Sequence, residues 1–184
     1  GFASIHLALA LLLAFANTPA SAQDLPTPAP KHTGTILLDN ATIHVGNGTV
    51  IEKGSVLISN DKIQAVGAIN AVPQEAKIID LAGKHIYPGL IAPVTQLGLS
   101  EVEAARATND RAEAGGINPN ARALIAYNTD SRVTPTVRSN GILLAQATPD
   151  GDLLKGLSSI VQLDAWSWED AAYVTDDALH LSWP

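Results

Sequence analysis

Between Thr35 and Ile91 the chain alternates apolar and polar positions in short runs, the period-two signature of half-buried strands. TILLDNATIHV, GSVLIS and KIQAVGAI are three such runs. The turn residues between them, GNGT at Gly46 to Thr49 and the Asn60-Asp61 pair, predict a meander of antiparallel strands. After a loop through Val72-Pro73, AKIIDLAG and KHIYPGLI add two further strands separated by Gly83. Strands this short bury an apolar face only against a second layer, so the region predicts half of a β-sandwich.

Beyond Ile91 the pattern becomes mixed. Ser100 followed three residues later by Glu103 has capping-box spacing and predicts a short helix over Ser100 to Ala107. AGGINPN is loop, ARALIAYN predicts a helix, and TPTVRSN leads through Gly141 into GILLAQATPDGD, an apolar run closed by Pro149, Asp150 and Gly151. A helix, a glycine turn and a buried strand make the repeating unit of a parallel α/β sheet or barrel. SSIVQLDAW supplies another strand. The predicted class is α/β with β, in two unlike parts.

The N-terminal residues predict a targeting segment. SIHLALALLLAFA, Ser4 to Ala16, is shorter than the roughly 20 apolar residues of a membrane span, and Ala20-Ser21-Ala22 has the small-x-small pattern of a cleavage site. Residues 1–22 are read as a signal peptide cut between Ala22 and Gln23, which places the protein in the periplasm or outside the cell, with no stable membrane span after removal. Residues 23–34, with three prolines, form an extended linker. Residues 35–86 form the N-terminal part of a β-sandwich domain, and 87–184 the mixed part. No initiator Met or basic stretch precedes the apolar run, and the chain stops at HLSWP, so an N-terminal fragment of a longer protein is expected.

Composition narrows the chemistry. With 184 residues, 46% hydrophobic and 16% charged, the chain has none of the bias of disorder. A formal charge of -7 and no run of Lys and Arg argue against nucleic acid as a partner. No cysteine is present, so disulfides, thiolate metal sites and a cysteine nucleophile are excluded, and a metal has only His, Asp and Glu to bind. PDGDLLKG has neither dinucleotide nor Walker spacing.

The strand meander ending in IIDLAGKHIYPGLI resembles the N-terminal region of the amidohydrolase superfamily, where ID..G....PGLID.H.H links a small β-sandwich to the first strand of a metal-bearing barrel. NTDSRVTPTVRSNGILLAQATPDGDLLKGLSSIVQLD resembles the exported, imidazolonepropionase-related branch. The resemblance covers Thr35 to Pro184. It implies a partial β-sandwich leading into a TIM-like (β/α)8 metal-dependent hydrolase barrel. Such a barrel takes about 250 residues, so only its first units fit in this chain. It also implies hydrolysis of non-peptide C–N bonds in a small-molecule substrate by metal-activated water, with a divalent ion such as zinc. The missing C-terminal barrel would be a partner in that activity, and homo-oligomers are compatible with it.

The departures from the pattern matter as much. Ala92 stands at the family's Asp, Val94 at its first His and Gln96 at its second. Valine cannot bind a cation and a neutral amide is a poor ligand for a borderline ion, so no metal site is supported within this chain. His32, His44, His85 and His180 show no pairing at ligand spacing. His180 is the best placed of them, following an apolar residue near the end of a predicted strand.

Glu101, Glu103 and Asp110 follow the first barrel strand and would lie near its catalytic mouth, as acid and base or as ligands of a hard cation. A solvated, capped helix start is the favoured account of the two glutamates, because residues two apart do not share a helix face. Trp166 and Trp168 would share one face of an extended DAWSWED, where they could stack on a ligand ring or cover the barrel's edge. Arg106, Arg111, Arg122 and Arg138 could bind an anionic group, and nothing in the sequence singles one out. Three functional readings follow. One is an amidohydrolase-like hydrolase, inactive as this fragment alone. The second is a non-catalytic binding or partner protein on the same fold, and the third a small exported β-domain complete at Pro184.

Overall fold

The computed structural model describes residues 28–102 and 104–183. The signal segment, its cut between Ala22 and Gln23, and Glu103 lie outside the described residues.

The first sheet is built on β1 (Thr35–His44), flanked on one side by β2 (Val50–Ser59) and then β3 (Lys62–Gly67), all antiparallel. Both connections use the turn chemistry read from the sequence. Gly46 and Gly48 adopt positive φ and the Asn47 carboxamide accepts the Thr49 N–H at 3.0 Å, while Asn60 and Asp61 both take φ between 50 and 59° in a two-residue hairpin.

The other edge of β1 corrects the expected meander. β4 (Lys77–Asp80) and β5 (His85–Ile86) lie end to end along it, and both run parallel to β1. The Leu81–Lys84 turn between them is closed by Leu81 N–H on the Asp39 carbonyl and Thr42 N–H on the Lys84 carbonyl. Parallel entry becomes available because β3 already runs parallel to β1 and ends level with its middle, so residues 68–76 return the chain by only a few residues' length to the start of β1. Ala41, Ile43 and Val56 form a small buried cluster, while Ile63 and Ile78 stay 67% and 60% exposed, so this sheet keeps apolar surface in the open.

The second sheet has the order β6 (Leu90–Thr95), β7 (Ile142–Ala147), β8 (Leu154–Gln162), β9 (Ala172–Leu181). β6 and β7 are parallel, as the helix–glycine–strand pattern predicts; the Gly141 carbonyl, just after helix α2 (Val133–Ser139), accepts the Leu90 N–H at 2.8 Å and aligns the starts of the two strands. Helix α1 (Ala123–Ala126) and α2 pack on one face around Leu99, Leu124, Tyr127, Ala145, Ala147 and Val161.

The strands after β7 depart from a strand–helix alternation. β8 and β9 are antiparallel to their neighbours, because residues 148–153 are too few for the crossover of about a dozen or more that a parallel pair requires. The outer edges of β6 and β9 have no partner strand among the described residues.

Two further expectations are corrected here. Ser100 to Ala107 is not a capped helix. Ser100 instead forms a bridge with Asn109, and only Arg106–Thr108 makes a 3-10 turn, whose Thr108 hydroxyl bonds the carbonyls of Val102 and Ala105. The Ser100 hydroxyl that a capping box needs has no partner among the described residues, while the Ser100 backbone pairs across the loop with Asn109. The extended DAWSWED is also broken: helix α3 (Trp168–Ala171) starts at Trp168, with the Ser167 hydroxyl accepting the Asp170 N–H. Trp168 packs on the core while Trp166 remains 67% exposed, so the two indoles share no face.

Gly156 fixes how the segment before α1 crosses the sheet. Its φ is 124°, and a Cβ there would stand 2.6 Å from the Ala121 carbonyl oxygen, the same oxygen that accepts the Leu157 N–H at 2.7 Å. Gly156→Ala is expected to destabilise the fold by about 2 kcal/mol or more, read as a lower urea midpoint at unchanged slope.

Candidate functional site

β9 runs parallel to β6 and β7, so the C-terminal ends of all three strands meet along one edge of the second sheet. Two polar constellations occupy that end.

The first follows β6. The Gln96 carboxamide oxygen accepts from the Arg111 guanidinium at 3.4 Å, and the same side chain bonds the Asp150 carboxylate. Asp150 is held further by Lys155, 3.6 Å away, and its backbone N–H donates to the Arg111 carbonyl at 2.6 Å. The Gly151 N–H bond is the main cause that pulls the Asp150 carboxyl below its ordinary value; partial burial opposes it, and Lys155 and Gln96 add to it. Of the four arginines singled out from the sequence, Arg111 is thus the one at this edge. Arg122 makes a two-pronged pair with Asp176 at 2.8 and 2.9 Å, which raises its already high pKa. Arg138 holds Asp164 and the Leu163 carbonyl, and Arg106 lies in the 3-10 turn.

The second constellation lies across the strands. The Gln146 carboxamide accepts the Val94 N–H at 3.1 Å and donates to Asp177 at 2.7 Å and to the Ser158 hydroxyl at 3.3 Å. Ser158, fully buried, gives its hydrogen to Asp177 at 2.7 Å, and its oxygen stands 2.9 Å from His180 Nε2. With the single hydroxyl hydrogen committed to a carboxylate, Nε2 is the donor in that contact, and His180 Nδ1 is left as the acceptor nitrogen of the neutral ring. A carboxylate and an imidazole thus sit together, oriented by a buried serine.

Val94 itself is strained. Its φ is +51°, a left-handed value that a β-branched residue rarely adopts, and it lies in a bulge where β6 slips between Ala92 and Thr95 against β7. The bond to Gln146 and the Thr148 N–H on the Thr95 carbonyl, 2.8 Å, hold the bulge in place.

The residues on β6 do not fit a cation. Val94 offers no donor and is 66% exposed, and Gln96 is engaged by a guanidinium on one side and a carboxylate on the other. No cluster of three or more His, Asp and Glu suited to an ion occurs among the described residues.

The predicted mouth carboxylates divide. Glu101 is bound by Asn128 at 3.2 Å and Ser131 at 3.0 Å, which fastens the loop after β6 to the segment before α2. Asp110 is exposed and reaches the Leu99 carbonyl through its backbone. Gln146, Ser158 and Asp177 were not among the sequence candidates, although a polar residue inside an apolar strand is the signal that marks them. The histidines also differ from expectation, since the structure brings His44 and His85 to within 3.0 Å.

Asp150 generates a pH prediction. A carboxyl held below its ordinary value contributes stability above the unfolded pKa and loses it as pH falls through the folded one, so the loss begins near pH 4 and continues below it. Asp150→Asn is expected to flatten this acid limb in urea titrations from pH 5 downward, with little change at pH 7 in that slope. Val94→Gly, removing the left-handed strain at an exposed position, is expected to raise stability by about 1 kcal/mol in the same assay.

No family model matches the chain. It is 27% identical over 149 residues to an imidazolonepropionase of Mycolicibacterium smegmatis, covering 78% of this chain and 37% of that protein. To the imidazolonepropionase of Streptomyces griseus subsp. griseus it is 24% identical over 164 residues, covering 85% and 42%. The crystal structure of an amidohydrolase from Thermotoga maritima MSB8 superposes with a TM-score of 0.73 at 25% identity, over 79% of this chain and 38% of that one. The chain therefore spans about two fifths of the length of the curated relatives it matches.

Proposed function

We propose, with the chain's relationship to the amidohydrolase superfamily as premise, that it is the N-terminal portion of an exported amidohydrolase-like hydrolase acting on C–N bonds of a small molecule. In this reading the first sheet is part of a β-sandwich, and the second opens a barrel whose mouth is the edge where β6, β7 and β9 end. The observation that carries it is the network in which Gln146 and Ser158 hold Asp177 and His180 at that end of a sheet whose fold follows a solved amidohydrolase.

The chain's own residues define what this mouth can do. His180, with Nε2 on Ser158, presents Nδ1 as an acceptor for a substrate N–H or a proton; the Ser158 contact fixes the ring. Asp177, bonded by Gln146 and Ser158, supplies negative charge beside it. Arg111, which reaches Gln96, brings a guanidinium to the same edge. A metal ion, which supplies activated water in this superfamily, does not fit β6; in the complete protein it would be held by other strands.

A second reading is favoured by one specific observation. Gln96 is built into a network with Arg111 and Asp150 at the position where the family pattern has its second histidine. A non-catalytic binding protein would keep the fold in that form.

Metal content per folded complete protein, with hydrolysis of linear and cyclic amides assayed in parallel, decides between the two. The hydrolase reading expects close to one equivalent of a divalent ion and turnover that His180→Gln lowers by roughly tenfold or more. A folded, complete protein without metal or turnover overturns it in favour of the binding protein.

A further inference from the structure

The register of β5 on β1 does more than close the edge of the first sheet. Thr42 pairs with His85 and Ile43 with Ile86, so the next rung places His44 opposite Tyr87, on the face that Thr42 and His85 share. The His44 and Tyr87 rings stack with centroids 4.2 Å apart and planes 7° apart, and the His85 ring lies 5.2 Å from His44. His44 Nε2 thereby comes to 3.0 Å from His85 Nδ1. His44 is half-buried and His85 exposed, so the pair is open to solvent from one side.

As a bare pair, one ring donates its N–H to the other. The same separation is also the bite of a cation. Two imidazole nitrogens each about 2.0–2.1 Å from an ion stand about 2.8–3.0 Å apart at right angles, and about 3.3–3.4 Å apart in a tetrahedron. The geometry points to a two-histidine site for a tetragonal divalent ion, Cu2+ before Ni2+, with His44 Nε2 and His85 Nδ1 as neighbouring ligands and water at the remaining positions. Binding moves the donating ring's proton from its facing nitrogen to its other nitrogen, so both rings stay neutral and both facing nitrogens are free to bind the ion. Tyr87 is a positioning residue: its ring lies flat on His44 and restricts rotation about the side chain's last bond. Glu52, bonded to the Thr42 hydroxyl at 3.2 Å, adds a negative charge near the site that favours a cation.

The pair lies on the first sheet and takes no part in the mouth described above, so the two readings fail independently. The test is a titration of the complete protein with Cu2+ alone, followed by electron paramagnetic resonance. One equivalent with a tetragonal, nitrogen-ligated spectrum is expected. His44→Gln and His85→Gln should each weaken binding roughly tenfold or more, and Tyr87→Phe should retain it. Equal affinity in the wild type and in the His44→Gln/His85→Gln double variant overturns the site. Should a variant fail to fold, proton NMR of the wild type during the titration replaces it. The His44 and His85 ring signals should broaden before those of His32 and His180, and simultaneous loss of all four overturns the proposal.

Discussion

One carboxamide touches every strand of the second sheet. From β7, Gln146 accepts a backbone N–H of β6 and donates to a hydroxyl on β8 and a carboxylate on β9. Of its partners the fully buried Ser158 hydroxyl is the one that would be costly to leave unpaired, while the Val94 N–H and the Asp177 carboxylate lie at exposed positions. The left-handed bulge at Val94 persists because this bond and its neighbours determine it from outside. The backbone at Val94 is thus governed by architecture: strand register, bulge and imidazole orientation all pass through the same side chain.

What could be read from the chain and what could not divides along the range of the forces involved. The β1–β2 and β2–β3 hairpins were legible because Gly46, Gly48, Asn60 and Asp61 encode their own backbone geometry. The parallel seating of β4 and β5 was not, since nothing local in AKIIDLAG or KHIYPGLI states which edge will accept them, or in which direction. The meeting of His44 and His85 follows from that pairing and was hidden with it. The antiparallel turn from β7 to β8 was available in the six residues 148–153, a length that forbids a helical crossover, but the apolar pattern alone did not rank it.

The mouth residues show the same division. The segment order that brings His180 to the ends of β6 and β7 depends on two reversals of direction, each fixed by a loop, so the sequence could nominate this histidine but could not place it. Gln146 and Ser158 were visible as polar letters inside ILLAQA and GLSSIVQ, yet only the sheet reveals that they answer one another. Glu101 was recognised as standing after β6, and its function in the fold is to fasten a loop through Asn128 and Ser131.

The outer borders of β6 and β9 have a practical meaning for anyone handling this polypeptide. Neither border pairs with a strand among the described residues, and exposed Leu90 and Ile91 lie on one and Leu179 and Leu181 on the other. Such borders recruit further strands from whatever chain is nearby. Produced by itself at high concentration, this stretch will tend to stack into ribbons, and dilution or a covering strand will do more for its solubility than any change to its interior.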